Sequence, residues 1–183
     1  MASTKSGTPA NSRAKDATQL LMADHKKVSK IFADYEKAAD GDTARKQELA
    51  KMACDELTVH AQVEEELLYP ALYEAFKDSD DALVDEAEVE HGTIKQLVAT
   101  LQESDPSDRL FDANMTVLAE YVKHHVKEEE SEIFPKARKA KSLDLKRMGQ
   151  EIAARKAQLQ EELGIESDEQ PAGRRPAPAQ RHA

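Results

Sequence analysis

The sequence predicts an all-α protein, an up-down-up-down antiparallel four-helix bundle followed by an additional C-terminal helix. Helix breakers are scarce, because only three prolines and four glycines lie between residues 11 and 170. Aromatic residues make up 4% of the chain while alanine contributes 28 residues, a composition that favours helix over sheet. Apolar residues also recur at steps of three and four, which is the period of one helix face.

Charge and cysteine content exclude several classes of protein. The net charge of −10 and pI near 5.1 argue against a nucleic-acid partner, since phosphate contacts need clustered Lys and Arg. The single cysteine, Cys54, cannot form an internal disulfide. No apolar run reaches the roughly 18 residues of a membrane span, and the first residues lack the apolar core of a secretory signal. We expect a soluble cytoplasmic protein with no membrane partner, whose oligomeric state the sequence leaves open.

The chain divides into four predicted regions. Residues 1–14 and 165–183 are expected to be disordered tails, because they are too poor in apolar residues to offset the entropy of ordering. Residues 15–140 form the predicted bundle, and residues 141–164 form an amphipathic C-terminal helix that ends at Gly164.

Each bundle helix has a recognisable apolar stripe. The first helix is expected at about residues 16–39, and a turn at 40–43 ends in the N-cap of the second, at about 44–76, which Pro70 kinks or divides. The third covers about 82–103, and Asp105-Pro106 is a typical start for the fourth, at about 107–139. The stripe of the second helix includes Met52, and that of the fourth includes Tyr121.

Four histidines fall within these stripes, one on each bundle helix: His25, His60, His91 and His125. A single histidine on an apolar face is more often a core residue than a ligand, but four at matched positions indicate a common site. The separations support this, with 35 residues between the histidines of the first helix pair and 34 between those of the second. His124 and His182 lie off the stripes.

Two glutamates share these faces. Glu64 and Glu129 each follow a stripe histidine by four residues and therefore point the same way, and both motifs lead into an aromatic-Pro pair. A carboxylate inside a hydrophobic bundle is costly unless it is paired or bound to metal. Two carboxylates and four imidazoles suit two cations, and the mixture of nitrogen and oxygen favours iron over Mg²⁺ or Ca²⁺. Glu130 remains an alternative to Glu129, and His124 with Glu128 is a second, weaker register.

This ordered set resembles the hemerythrin-like, HHE cation-binding domain family over about residues 16–140. The resemblance implies a non-haem di-iron centre, with two iron ions bridged by carboxylates and by an oxo or hydroxo group. It also implies that the four histidines are terminal ligands and that the two glutamates are the bridges, so the expected metal ligands are His25, His60, Glu64, His91, His125 and Glu129. A ferritin-like site, with Glu three residues before His on two helices, is matched only once, at Glu88 and His91.

The chain departs from the oxygen-carrying hemerythrins at two positions. Lys95 stands where they have a further histidine four residues after that of the third helix, and the last motif is His-x3-Glu rather than His-x4-Asp. Fewer protein ligands leave open or water-filled positions on the irons, which favours peroxide chemistry or sensing over stable O2 carriage. The expected small-molecule ligand is therefore O2 or H2O2. Catalase-like peroxide decomposition, iron storage or sensing, and a plain helical interaction module remain alternatives.

Overall fold

The computed structural model describes residues 15–39, 41–76 and 81–165, and these residues form helices joined by short turns, with no strand among them. In chain order the helices are α1 (Ala17–Glu36), α2 (Thr43–Val63), a first π-helical segment (Glu64–Leu68), α3 (Tyr69–Phe76), α4 (Asp81–Glu103), α5 (Phe111–Glu128), a second π-helical segment (Glu129–Ile133), α6 (Phe134–Lys139) and α7 (Leu145–Leu163). The prediction of an all-helical bundle with an extra C-terminal helix is confirmed. Both predicted tails lie outside the described residues, except Ile165, whose N–H caps α7 by donating to the carbonyl of Gln160.

The bundle closes because successive helices pack against each other and the first also meets the last. Helix α1 packs on α2 and α5, and α4 packs on α2 and α5. Side-chain caps mark the starts of α1 and α2. Asp16 and Gln19 form a capping box at the start of α1, and the side chain of Asp42 caps α2 by accepting the N–H of Arg45.

A π-helical turn interrupts the second and fourth long helices of the bundle at equivalent places, between α2 and α3 and between α5 and α6. The N–H of Tyr69 donates to the carbonyl of Glu64, and that of Phe134 to the carbonyl of Glu129, five residues back in each case. A proline follows at once in both helices, and its ring removes a donor and crowds the preceding turn. The helix therefore widens before the proline, whereas the sequence predicted a kink or division at Pro70 itself.

The interior holds two hydrophobic clusters with a polar layer between them. One cluster includes Leu68, Tyr69 and Phe134, and the other includes Leu49, Phe111 and Leu118. Among the described residues, the buried polar and charged side chains are Thr18, His25, Lys46, His60, Glu64, His91, His125 and Glu129. Six of these eight are the predicted ligands, so the polar layer coincides with the predicted site.

Three sequence expectations are wrong, one about the start of a helix and two about residues placed on the apolar stripes. Helix α5 begins at Phe111 rather than near residue 107, because Asp105 accepts the N–H of Ser107 and stabilises a turn instead of a helix. Met52 and Tyr121 are 38% and 45% exposed. Tyr121 lies three residues after one core position and four before another, but its neighbour Val122 fits the same spacing and occupies the interior.

Helix α7 packs along α1 and α2 of its own chain. Gly149 permits a close approach, since a Cβ there would lie 2.6 Å from the carbonyl oxygen of Lys15 and 2.9 Å from the backbone nitrogen of Ala17. Lys156 and Arg155 pair with Asp24 and Glu66. Within the described part of the chain, none of the helices has the length and apolar character needed to cross a membrane.

Candidate metal centre

The four stripe histidines meet as two pairs at mid-bundle. The Nε2 atoms of His25 and His60 are 3.2 Å apart, and those of His91 and His125 are 3.1 Å apart. All four residues are buried. Each histidine pair joins the two helices of one predicted helix pair, so the two matched helix pairs of the sequence correspond to the two halves of the centre.

Glu64 and Glu129 lie between the pairs, with no exposed surface. The Oε2 atom of Glu64 is 3.1 Å from the Nε2 of His60 and 3.4 Å from that of His91. The Oε2 atom of Glu129 is 3.2 Å from the Nε2 of His25 and 3.6 Å from that of His125. Each carboxylate thus reaches one imidazole of each pair, an arrangement that lets it bridge two ions.

A second ring of carboxylates holds the outer nitrogens of the imidazoles. Four Nδ1 atoms face four acids: His25 with Glu130 at 2.9 Å, His60 with Asp24 at 3.4 Å, His91 with Glu65 at 3.0 Å, and His125 with Glu90 at 2.7 Å. A carboxylate at Nδ1 favours a proton on that nitrogen and leaves the Nε2 lone pair free. The lone pairs of each pair consequently converge on one point, as metal ligation requires.

Without a cation, protons balance the buried carboxylates. Burial opposes the charged form of His60, but the carboxylate of Glu64 and the hydrogen bond with Asp24 outweigh it and raise its pKa to about 10. Burial likewise opposes the charge on His125, whose pKa is raised by Glu129 and Glu90. Burial would also raise the pKa of Glu64, but His60 and His91 hold it well below its ordinary value.

The donor set fits metal ions, as the unsatisfied atoms show. Among the described residues, both carboxylate oxygens of Glu64 and the Oε2 of Glu129 are buried and accept no hydrogen bond. Leaving a buried polar group unpaired costs roughly 1–3 kcal/mol, and more when it is charged. Besides the partly exposed group Glu90–His124–Glu128, two buried groups, His25–His60–Glu64–Glu129 and Glu64–His91–His125, place ligand atoms close enough to hold an ion each. Cations at these two positions would satisfy the orphaned oxygens.

The structure places the alternatives that the sequence left open at different depths in the bundle. Glu129 lies in the interior, whereas Glu130 is partly exposed and contacts the Nδ1 atom of His25. His124 and Glu128 pair at 3.3 Å near Glu90 on the bundle surface, outside the polar layer. The metal-ligand roles of the six interior residues remain a prediction.

Sequence reasoning missed Tyr69 and the acids that hold the imidazoles. The hydroxyl of Tyr69 is 3.1 Å from the Nε2 of His91 and 3.3 Å from the Oε1 of Glu129. The available signal was an internal repeat. Adding 66 converts Asp24 and His25 into Glu90 and His91, and adding 65 converts His60, Glu64, Glu65 and Tyr69 into His125, Glu129, Glu130 and Phe134.

A small cavity adjoins the histidines. Its volume is about 20 Å³, enough for one or two water molecules. The four histidines line it together with apolar side chains, among them Val28, Leu57 and Ile94. Asp24 and Glu56 also line the cavity, so its wall combines apolar and ionisable side chains.

These features define a helical bundle with a buried histidine–glutamate centre able to hold cations. The family model for the hemerythrin HHE cation binding domain matches residues 16–137, and the chain belongs to this family. A crystal structure of an HHE cation binding domain-containing protein from Mycobacterium kansasii matches 81% of this chain and 89% of that chain, with a TM-score of 0.68 and 23% identity, and shows the same fold.

A curated relative, a DNA nickase of Nostoc sp., is 30% identical over 146 residues, which is 79% of this chain. The matched region spans 40% of the length of that relative.

Proposed function

We propose that this chain is a non-haem di-iron protein that binds O2 or a reduced oxygen species in oxygen or redox sensing or handling. The observation that carries the proposal is the convergence of four histidine Nε2 atoms beside two buried carboxylates, three of whose four oxygens accept no hydrogen bond. His25 and His60 would hold one iron, His91 and His125 the other, and Glu64 and Glu129 would bridge them.

The donor types support iron. Imidazole nitrogen combined with carboxylate oxygen suits iron better than the all-oxygen sites of Mg²⁺ and Ca²⁺. When bound, iron supplies the electrons and coordination positions that O2 or peroxide needs. The protein orients the imidazoles through their Nδ1 partners and offers a small cavity beside them in which a small molecule can lie.

Peroxide decomposition is the second candidate function. Lys95 occupies the place of a further histidine, and its ammonium pairs with Glu65 at 2.8 Å outside the polar layer. The six interior residues therefore supply four nitrogens, and irons held by them would have positions left for a substrate. Iron storage or sensing is a third reading, in which the bundle responds to the metal itself.

The DNA-nicking activity named for the Nostoc relative is not proposed for this chain. The matched region is 40% of that protein, and this chain has a net charge of −10. A surface that binds DNA needs clustered cations to contact phosphates. No nucleic-acid partner is part of this proposal.

The first test measures the metal content and the optical spectrum of the purified full chain after it has been loaded with iron. We expect about two irons per chain and oxo-bridged absorption in the near ultraviolet, both lost in His60→Ala and Glu129→Ala. His124→Ala is the comparison variant: this exposed histidine lies outside the polar layer and meets the centre only through its contact with Glu90, so it should retain both signals.

Reactivity then separates the candidate functions. A reversible absorption change on aeration of the ferrous protein supports O2 binding, whereas O2 evolution from added H2O2 supports an enzyme. If neither occurs while helicity depends steeply on iron, storage or sensing is favoured. A single bound zinc would contradict the proposal.

A further inference from the structure

Helix α7 carries a lysine on the face that it turns towards the bundle. Met148, Ile152 and Leu159 are buried on this face, and Lys156 lies four residues after Ile152 and three before Leu159. An apolar residue is expected at this spacing. The side chain of Lys156 is 18% exposed, so its stem lies along the bundle while its ammonium group reaches α1.

The ammonium group of Lys156 contacts one of the acids that hold the imidazoles. It donates a hydrogen bond to the Oδ1 atom of Asp24, whose Oδ2 atom faces the Nδ1 of His60 at 3.4 Å. Asp24 is mostly buried as well, with 13% of its side chain exposed. A chain of contacts therefore runs from α7 through Asp24 to an imidazole of the centre.

The corresponding contact in the other half of the centre is different. Glu90 is the counterpart of Asp24 in the internal repeat, and it meets His125 at 2.7 Å and the exposed His124 at 3.2 Å. Water and salt screen the charge of an exposed group more than that of a partly buried one. The His60 half is thus supported by a cation from outside the four-helix bundle, and the His125 half by an exposed histidine of its own helix pair.

Further contacts fix α7 beside the centre. It packs on α1, on α2 and on the first π-helical segment. Arg155 forms a two-pronged ion pair with Glu66 of that segment, at 2.7 and 3.1 Å. The family model ends at residue 137, whereas α7 begins at Leu145. The contact between α7 and the centre is therefore supplied by a part of the chain beyond the matched domain.

We propose that Lys156 is a positioning residue of the metal centre and couples the docking of α7 to the oxidation state of the ion held by His25 and His60. This inference rests on the proposed di-iron function. Lys156 holds Asp24, and Asp24 orients the imidazole of His60 by accepting a hydrogen bond from its Nδ1. No covalent bond of these residues forms or breaks. The electrons lost on oxidation pass to O2 or peroxide, the oxidants of the proposed function.

Charge explains the direction of the coupling. Loss of an electron adds positive charge to the centre, which the ammonium group of Lys156 opposes. Oxidation also strengthens the hydrogen bond from His60 to Asp24, which draws the carboxylate away from Lys156. Both effects loosen α7 in the ferric state. Unit charges at roughly 10 Å change each other's equilibria by about tenfold inside a protein, and by linkage the effect on docking equals the effect on oxidation.

Hydrogen exchange of the iron-loaded protein tests the coupling directly. We expect the amides of α7 to exchange about tenfold faster after oxidation with ferricyanide than after reduction with dithionite. Lys156→Met should abolish this difference, whereas Lys156→Arg, which keeps the charge, should retain it. Lys146→Met is the matched control, because Lys146 is an exposed lysine of the same helix, and it should leave the difference unchanged.

A redox titration followed by optical absorption measures the same coupling at the centre. Lys156→Met should favour the ferric over the ferrous state by about tenfold and so lower the reduction potential. Arg155→Met removes a cation of α7 that pairs with Glu66 instead. It should lower the thermal stability while it changes the ratio of ferric to ferrous protein by less than about threefold.

The outcomes separate this inference from the proposed function. Equal exchange of α7 in both oxidation states of the iron-loaded wild-type protein overturns the coupling and leaves the di-iron proposal standing. A Lys156→Met variant with lower thermal stability but an unchanged potential overturns the positioning role, since Lys156 would then only stabilise the fold. Failure of the wild-type protein to bind iron overturns both proposals. The exchange experiment on the wild-type protein is decisive alone, so the test does not depend on the folding of a variant.

Discussion

Removal of the metals should destabilise the bundle strongly, because the centre separates the two hydrophobic clusters. A ligand at 100 times its Kd stabilises the native state by about 2.7 kcal/mol, so two ions contribute about 5.4 kcal/mol. For a chain of this size each kcal/mol moves the Tm by roughly 2–4 °C. We therefore expect chelation to lower the Tm by about 10–20 °C.

The assay is thermal unfolding followed by circular dichroism, on the iron-loaded protein with and without chelator. His60→Ala, which removes one ligand of one pair, should reduce this chelator-dependent difference by at least half. His124→Ala should preserve it in full. Coincident unfolding curves for the loaded and chelated wild-type protein would refute the reasoning, since they would mean that the orphaned carboxylates need no cation.

Three further predictions test the surroundings of the centre. Glu90→Gln loosens the imidazole of His125 and should weaken iron binding by about 10–100-fold in chelator competition. Glu128→Gln, close to Glu90 but nearer the surface, should change iron binding by less than about threefold. In the metal-free protein, the raised pKa of His60 contributes stability that is full below pH 6.5 and is lost as pH rises through about 10; urea unfolding should show this decline, and a stability that rises over this range would contradict it. Gly149→Ala forces a Cβ against backbone atoms and should cost about 1–3 kcal/mol in urea unfolding, whereas Gly92→Ala, with open space around it, should gain roughly 0.5–1 kcal/mol; equal effects of the two would refute the close approach of α7.

The fold was predictable because helix spacing depends on local sequence alone. The stripe of α4 is buried at every predicted position, including Val84, His91 and Leu101. Boundaries were less predictable where two signals compete. At residues 105–110 the Asp-Pro pair suits both a helix start and a turn, and contacts of Asp105 with Ser107 decide for the turn.

The interior layer was predictable because the spacing of four residues after His60 and His125 fixes the face of each glutamate. The outer ring was not, since Glu65 and Glu130 belong to runs of acids in which spacing alone does not show which carboxylate meets a ring on another helix. Tyr69 was missed for a different reason. Its side chain points inward because of the π-helical turn, and the spacing of a regular α-helix does not predict that direction.

We predict that the six buried side chains hold two coupled iron ions. Mössbauer spectroscopy of the protein loaded with ⁵⁷Fe, together with its measured iron content, tests this most directly. We predict about two irons per chain with a diamagnetic ground state in the ferric form, because bridged high-spin ions couple their spins. A paramagnetic spectrum of isolated high-spin iron, at about one ion per chain, would contradict the account.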